Sequence, residues 1–179
     1  GKERFAFKKQ VQMVFQDPYS SLDPRMSVHN LIAEPVQVCG LLKTKAEINE
    51  HVREIMDMCG LPADQANLFP HELDGGLRQR VGLAQAILGF PKIIILDEPT
   101  VGLDPKQVVE IRDLIRHLAK DHTVILSSHI LSEIRAVCDR VLIIRKGRFV
   151  VCDTPEDLEE KLSAGGSLEL TAKAAPEAA

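Results

Sequence analysis

The run Ile93-Ile94-Ile95-Leu96-Asp97-Glu98-Pro99-Thr100 constrains this chain more than any other segment. Four consecutive aliphatic residues leave no polar face, so they predict a central strand covered on both sides, as parallel sheets flanked by helices require. Such a strand delivers two adjacent carboxylates to its C-terminal end, the edge at which open α/β sheets bind ligands.

The segments after Lys92 keep to that architecture, because strand and helix patterns alternate as they do in βαβ units. Asp104-Pro105 supplies an N-cap and a proline at the first helical position, for a helix with Val108, Ile111, Ile115 and Leu118 as its apolar positions. Thr123-Val124-Ile125-Leu126 predicts the next buried strand, and a helix over 130–138 follows. Val141 to Ile144 and Arg148 to Cys152 flank Lys146-Gly147 as a hairpin would, with a short helix capped by Thr154-Pro155 after them. The tail after Ser163, rich in Ala and Gly, has little to bury and is expected to fray.

Upstream, Val11 to Phe15 reads as a strand stopped at Gln16-Asp17-Pro18. Residues 27–88 are helical in pattern. Ser27 is an N-cap for a helix through Val36 that Pro35 is expected to kink or restart. Thr44 and Glu47 form a capping box ahead of Ile48, Val52, Ile55, Met56 and Cys59, with Gly60 as the stop. A further helix begins at Gly75-Gly76 and runs to about Leu88, with Leu77, Val81, Ala84 and Leu88 on one face.

Composition removes several function classes. The net charge of -4, from 22 basic and 26 acidic side chains, offers no basic field for nucleic acid, and one Tyr with no Trp offers no stacking platform. Nucleic acid is therefore not an expected partner. No apolar run approaches the ~20 residues of a membrane helix. Cys39, Cys59, Cys138 and Cys152 are scattered without a C-x-x-C pair, so they read as buried thiols in a reducing compartment rather than as a zinc or disulfide framework.

At the strand end, Asp97 is placed to hold Mg²⁺ through water, and Glu98 to orient or deprotonate a water for attack on a phosphoryl group. Taken singly, Gln16 is a loop amide, Asp104 a helix cap and His129 a surface histidine. Their order is more specific. Gln16, then Leu73-Asp74-Gly75-Gly76-Leu77-Arg78-Gln79-Arg80-Val81, then Asp97-Glu98-Pro99-Thr100, then Gly102-Leu103-Asp104, then His129 follow the order and spacing of the ATP-binding-cassette (ABC) ATPases, which residues 1 to about 162 closely resemble.

That resemblance implies an α/β fold, a P-loop NTPase-like parallel sheet that is incomplete at its N-terminus and carries an inserted α-helical subdomain. It also implies ATP and Mg²⁺ as ligands and ATP hydrolysis as the activity. By it, Gln16 is similar to the Q-loop glutamine that contacts the metal and the nucleophilic water, and Asp97 to the Walker B aspartate. Glu98 resembles the catalytic glutamate and His129 the switch histidine. Asp74, Gly75 and Gly76 resemble the signature, and Asp104 the D-loop aspartate; both would face a nucleotide held by a second cassette. The implied partners are that second ATPase subunit, identical or related, and transmembrane permease subunits, with the chain peripheral on the cytoplasmic face of a membrane. The implied segments are 1–26 with the Q-loop, 27–88 as the helical subdomain, 89–162 as the remaining core and 163–179 as a flexible tail.

The signature departs from the usual family form, with Asp74 where a serine is typical and Leu77 where a glutamine is. Two glycines at a helix start expose amide N–H groups to an anion, whereas a carboxylate beside them repels one. No G-x-x-x-x-G-K-[ST] phosphate loop occurs in the 179 residues. The chain reads as beginning downstream of that loop, and by itself is expected to bind ATP weakly or not at all.

Residues 1 to about 90 resemble oligopeptide and dipeptide importer cassettes, whereas the part from about 100 resembles ABC-2-type exporter cassettes. The alternative to a working ATPase subunit is an inert or regulatory cassette fragment that only binds partners.

Overall fold

The computed structural model describes residue 7, residues 9–16 and residues 21–163, with side chains to residue 160. Asp17-Pro18 of the expected strand stop and the tail beyond Ser163 lie outside the described residues. The chain divides between His129 and Ile130 into two compact units.

In the first unit three strands form a parallel sheet in the order β1 (Val11–Val14), β2 (Ile93–Asp97), β3 (Thr123–Ser127). The register aligns Val14 with Leu96 and Leu96 with Leu126, so all three strands end along one edge. Between β1 and β2 lie α1 (Val28–Cys39), α2 (Lys45–Met58), two short 3₁₀ turns at Ala63–Asn67 and Pro70–Glu72, and α3 (Gly75–Ile87). Helix α4 (Pro105–Leu118) joins β2 to β3.

Helix starts follow their caps. Ser27, Thr44, Asp74 and Asp104 each accept a backbone N–H from the third residue onward, and Thr44 with Glu47 completes a capping box. Gly40 and Gly60, at φ 61° and 65°, follow α1 and α2 in the left-handed conformation that terminates helices.

Helix α1 runs unbroken through Pro35 to Cys39, contrary to the expected restart. A mid-helix proline costs about 3 kcal/mol. Leu31, Ile32 and Val36 are nearly fully buried around it, and each such side chain returns roughly 1.5–3 kcal/mol, enough to carry the helix past the break.

Helix α3 is buried on more than the single face its period suggests: Val81, Gly82, Leu83, Ala84, Ala86, Ile87 and Leu88 are all inside. It lies close to the sheet, where a Cβ on Gly82 would stand 3.5 Å from Val14 Cγ1. On α4 the buried residues are Ile111, Leu114, Ile115 and Leu118, with Val108 half-buried.

The sheet is covered unequally. Ile94 and Leu96 are fully buried, but β3 has no buried residue, and the aligned row Met13, Ile95, Ile125 faces the opposite way with Met13 43% and Ile125 52% exposed. The expectation of a strand β3 buried like β2 is thus corrected, since among the described residues the helices cover one sheet face well and leave the other partly open. The cysteines need a similar correction: all four are free, yet only Cys59 is buried, and Cys39, Cys138 and Cys152 are half-buried.

The second unit contains α5 (Leu131–Val137), an antiparallel hairpin of β4 (Val141–Arg145) and β5 (Arg148–Asp153), and α6 (Pro155–Ser163). Lys146 and Gly147, at φ 50° and 74°, make the two-residue turn whose twist suits a hairpin. Thr154 Oγ1 accepts the Asp157 N–H at 3.2 Å and starts α6, and Arg135 on α5 pairs with Glu159 on α6 at 2.8 Å.

Candidate functional site

The parallel register assembles the site. Asp97 is the last residue of β2 and pairs with Ser127, the last of β3. Ser127 Oγ donates to Asp97 Oδ1 at 2.6 Å and accepts the Glu98 backbone N–H at 3.0 Å, so one hydroxyl orients both acidic residues. Glu98 Oε1 lies 2.9 Å from His129 Nδ1. The carboxylate is mostly shielded, with 18% of its side chain exposed, whereas the imidazole is 69% exposed.

Glu98 also carries backbone strain. Its φ of 45° is in the left-handed region, which costs a non-glycine residue roughly 1–2 kcal/mol. Its amide is held by Ser127 and its carbonyl accepts the Val101 N–H at 3.2 Å, so both neighbouring elements impose the turn. Such strain concentrates where a side chain must be aimed. Glu98 Oε2 is buried and has no hydrogen-bond partner among the described residues, an arrangement that calls for a donor such as water.

Gln16 belongs to the same edge. Val14 pairs with Leu96, and Gln16 stands two residues past Val14 as Glu98 stands two past Leu96. It is exposed. Gln16, Asp97, Glu98 and His129 therefore leave the C-terminal ends of the three parallel strands together.

Asp74, Gly75, Gly76 and Asp104 make a second group, joined to the first through the turn 98–104. Asp74 caps α3, its Oδ1 accepting the Leu77 N–H at 2.8 Å; Asp104 caps α4, its Oδ1 accepting the Gln107 N–H at 2.9 Å. Gln107 reaches from one cap to the other, its Nε2 lying 3.4 Å from Asp74 Oδ1. Gly75 is exposed and Gly76 is buried beneath that side chain.

Ser127 and Gln107 are the two polar residues that sequence reasoning missed. Gln107 had a readable signal, since Asp104 and Gln107 have the spacing of a capping box. Ser127 had none without the register. Elsewhere a cavity of about 480 Å³ opens beside α2, with Arg53, Met56, Asp57 and Leu61 in its wall; neither Asp97 nor Glu98 lines it.

A Mg²⁺ ion is compatible with these residues in one way only. Among the described residues no three His, Cys, Asp or Glu side chains converge as a metal cage. Mg²⁺ ordinarily takes one or two protein oxygens and fills its shell with phosphate and water, and the single strand-end carboxylate of Asp97, oriented by Ser127, suits that mode.

Comparison with known proteins gives a consistent result. The ABC transporter family model matches residues 2–101, and a model of an AAA domain matches residues 76–135. The oligopeptide transport ATP-binding protein OppF of Bacillus subtilis is 38% identical over 161 residues, which is 89% of this chain and 53% of that protein. The dipeptide transport ATP-binding protein DppF of Lactococcus lactis is 36% identical over 160 residues, 88% of this chain and 51% of that one. The chain thus spans about half the length of these relatives.

Among solved structures, cbiO1 from Clostridium perfringens, part of the ABC transporter complex cbiONQ, superposes with a TM-score of 0.80 at 27% identity, covering 91% of this chain and 64% of that one. The ATP-binding cassette MJ0796, dimeric with ADP and Pi, superposes at 0.73 with 24% identity, over 86% of this chain and 66% of that one, and attests the fold.

Proposed function

The chain belongs to the ABC transporter family, and we propose that it serves an ATP-hydrolysing cassette subunit that powers a membrane permease, in the oligopeptide or dipeptide import branch. The observation that carries this reading is the state of Glu98: one carboxylate oxygen against His129, the other buried and without a partner among the described residues, at the C-terminal edge of a parallel sheet.

A buried carboxylate oxygen without a donor is costly, and a water molecule placed against it regains the lost hydrogen bond. The same oxygen then holds that water by its proton and is positioned to accept the proton as the water attacks a phosphoryl group. His129 fixes the other oxygen, so the side chain cannot turn away, and the strained backbone at Glu98 sets its direction. Asp97, held by Ser127, and Gln16 on the neighbouring strand would hold Mg²⁺. When bound, that ion neutralises the charge of a triphosphate.

Asp74, Gly75, Gly76 and Asp104 are assigned to the nucleotide of a second cassette, identical or related, closing on this one. Residues 27–88 are assigned to a helical subdomain that meets the permease, which would keep the protein on the inner face of the membrane. No helix among the described residues is long and apolar enough to cross a membrane.

The test is ATP turnover by an assembled transporter whose cassette is complete and includes a phosphate loop. Glu98→Gln keeps the shape but not the basicity, and is expected to slow hydrolysis by about 10²–10⁴-fold with nucleotide binding retained. Unaltered turnover would remove Glu98 from the reaction and sink the proposal.

A further inference from the structure

We propose that Gln107 is a positioning residue that locks the glycine turn 74–77 to the Asp104 turn, so that the two segments meet a phosphate-bearing partner as one body. The inference rests on the function proposed above and adds to it a residue that none of the recognised motifs contains.

The geometry is specific to an amide. The Gln107 backbone N–H donates to Asp104 Oδ1 at 2.9 Å, and Gln107 Oε1 accepts the Asp104 backbone N–H at 3.4 Å, a reciprocal cap on α4. From the same side chain, Nε2 donates to Asp74 Oδ1 at 3.4 Å, the oxygen that already receives the Leu77 N–H at 2.8 Å. A carboxylate could make the first contact but not the second, and an ammonium the second but not the first. Only a side chain that both accepts and donates at its tip can serve both caps.

Gly76 belongs to this lock. A Cβ there would stand 2.8 Å from Gln107 Cδ and 2.8 Å from its Nε2, so the space a side chain would occupy is filled by the amide itself. Beside it, a Cβ on Gly75 would stand 3.6 Å from Leu103 Cδ2. Leu103 and Gln107 thus form the floor on which both glycines lie.

The arrangement also addresses the acidic cap. Asp74 places a negative charge at the turn assigned to a phosphate, where like charges repel. Two N–H donors converge on its Oδ1 and hold that oxygen toward the start of α3 and the Gln107 amide. Gln107 is thereby the group that makes an aspartate workable at this position.

Two readouts test this. In the full chain without nucleotide, amide exchange across residues 74–78 is measured for Gln107→Met, which keeps the length and loses the polar tip. Exchange there is expected to rise about tenfold, the effect of losing a net hydrogen bond, while residues 111–118 keep their rates. Gly76→Ala, which displaces the amide, is expected to match it. Unchanged exchange at 74–78 in both variants would overturn the lock.

In the assembled transporter, Gln107→Glu is expected to raise KM for ATP at least about fivefold with kcat held within about twofold, the signature of lost uniform binding. Asp74→Ser in that background removes the facing charge and supplies a donor, and is expected to restore KM. A double variant no better than Gln107→Glu alone would refute positioning through Asp74. If the wild-type assembly fails to hydrolyse ATP, the proposed function falls and the exchange measurement still decides the lock.

Discussion

Arg80 on α3 donates to Glu110 on α4 at 2.6 Å, and its other guanidinium nitrogen donates to the Cys59 carbonyl at the end of α2 at 2.7 Å. One side chain, 13% exposed, thus fastens three helices and satisfies a carbonyl that helix geometry leaves without a partner. The helix carrying the glycine turn is held at this node by the same residue type and plane that suit two acceptors at once.

Arg80→Met is expected to lower stability by about 1–3 kcal/mol, because a charged donor is lost from a largely buried carbonyl. Glu110→Gln should cost less than about 1 kcal/mol, since that carboxylate is 43% exposed and solvent screens the pair. Urea denaturation of the two variants checks the ranking; equal losses would show that the ion pair, not the carbonyl contact, is the stabilising element.

Ser127→Ala removes the hydroxyl that holds Asp97 and the Glu98 amide. A stability loss of about 1 kcal/mol is expected from the missing hydrogen bonds, together with a fall in ATP turnover in the assembled transporter well beyond what the unfolded fraction explains. Thermal unfolding and kinetics on the same preparation separate the two effects. Ser127→Thr, which keeps the hydroxyl, is expected to retain most of the activity.

Burial pushes the Cys59 thiol up to about 12, leaving almost no thiolate near neutral pH. Cys39 and Cys152 are half-buried and better placed for reagent access. Timed alkylation followed by peptide mass mapping should label Cys59 last, and quickly only after denaturant is added. Early labelling of Cys59 in the native chain would contradict the packing around α2.

Arg25 holds the Asp23 carboxyl down at about 2, through a side-chain hydrogen bond first and a backbone N–H second. The folded value is depressed below the ordinary 3.8, so this contact contributes fully above pH 3.8 and is lost as pH falls toward 2. A carboxyl NMR titration should place the Asp23 midpoint near 2 and return it toward 3.8 in Arg25→Gln. An unchanged midpoint in that variant would assign the shift to another cause.

Much of this was readable in the residues. Thr44 with Glu47, and Asp104 with Pro105, announced two helix starts, because a cap is a local match between a side chain and an adjacent amide. The hairpin at Lys146-Gly147 was legible for the same reason. What escaped was non-local. Ser127 matters only because the register sets it beside Asp97, and Gln107 only because α3 and α4 start side by side. The passage of α1 through Pro35 and the burial of α3 on several faces depend on what packs around them, which no window of sequence contains. The family motifs named the acidic residues; they could not name the hydroxyl and amide that hold them.

The aligned side chains of Met13, Ile95 and Ile125 have a bearing on handling the polypeptide. A greasy stripe across three strands is wetted at a free-energy cost that self-adhesion relieves, so concentrated solutions of this chain alone should cloud on warming and clear with mild detergent. Light scattering against temperature would register that tendency, and an Ile125→Thr exchange should blunt it.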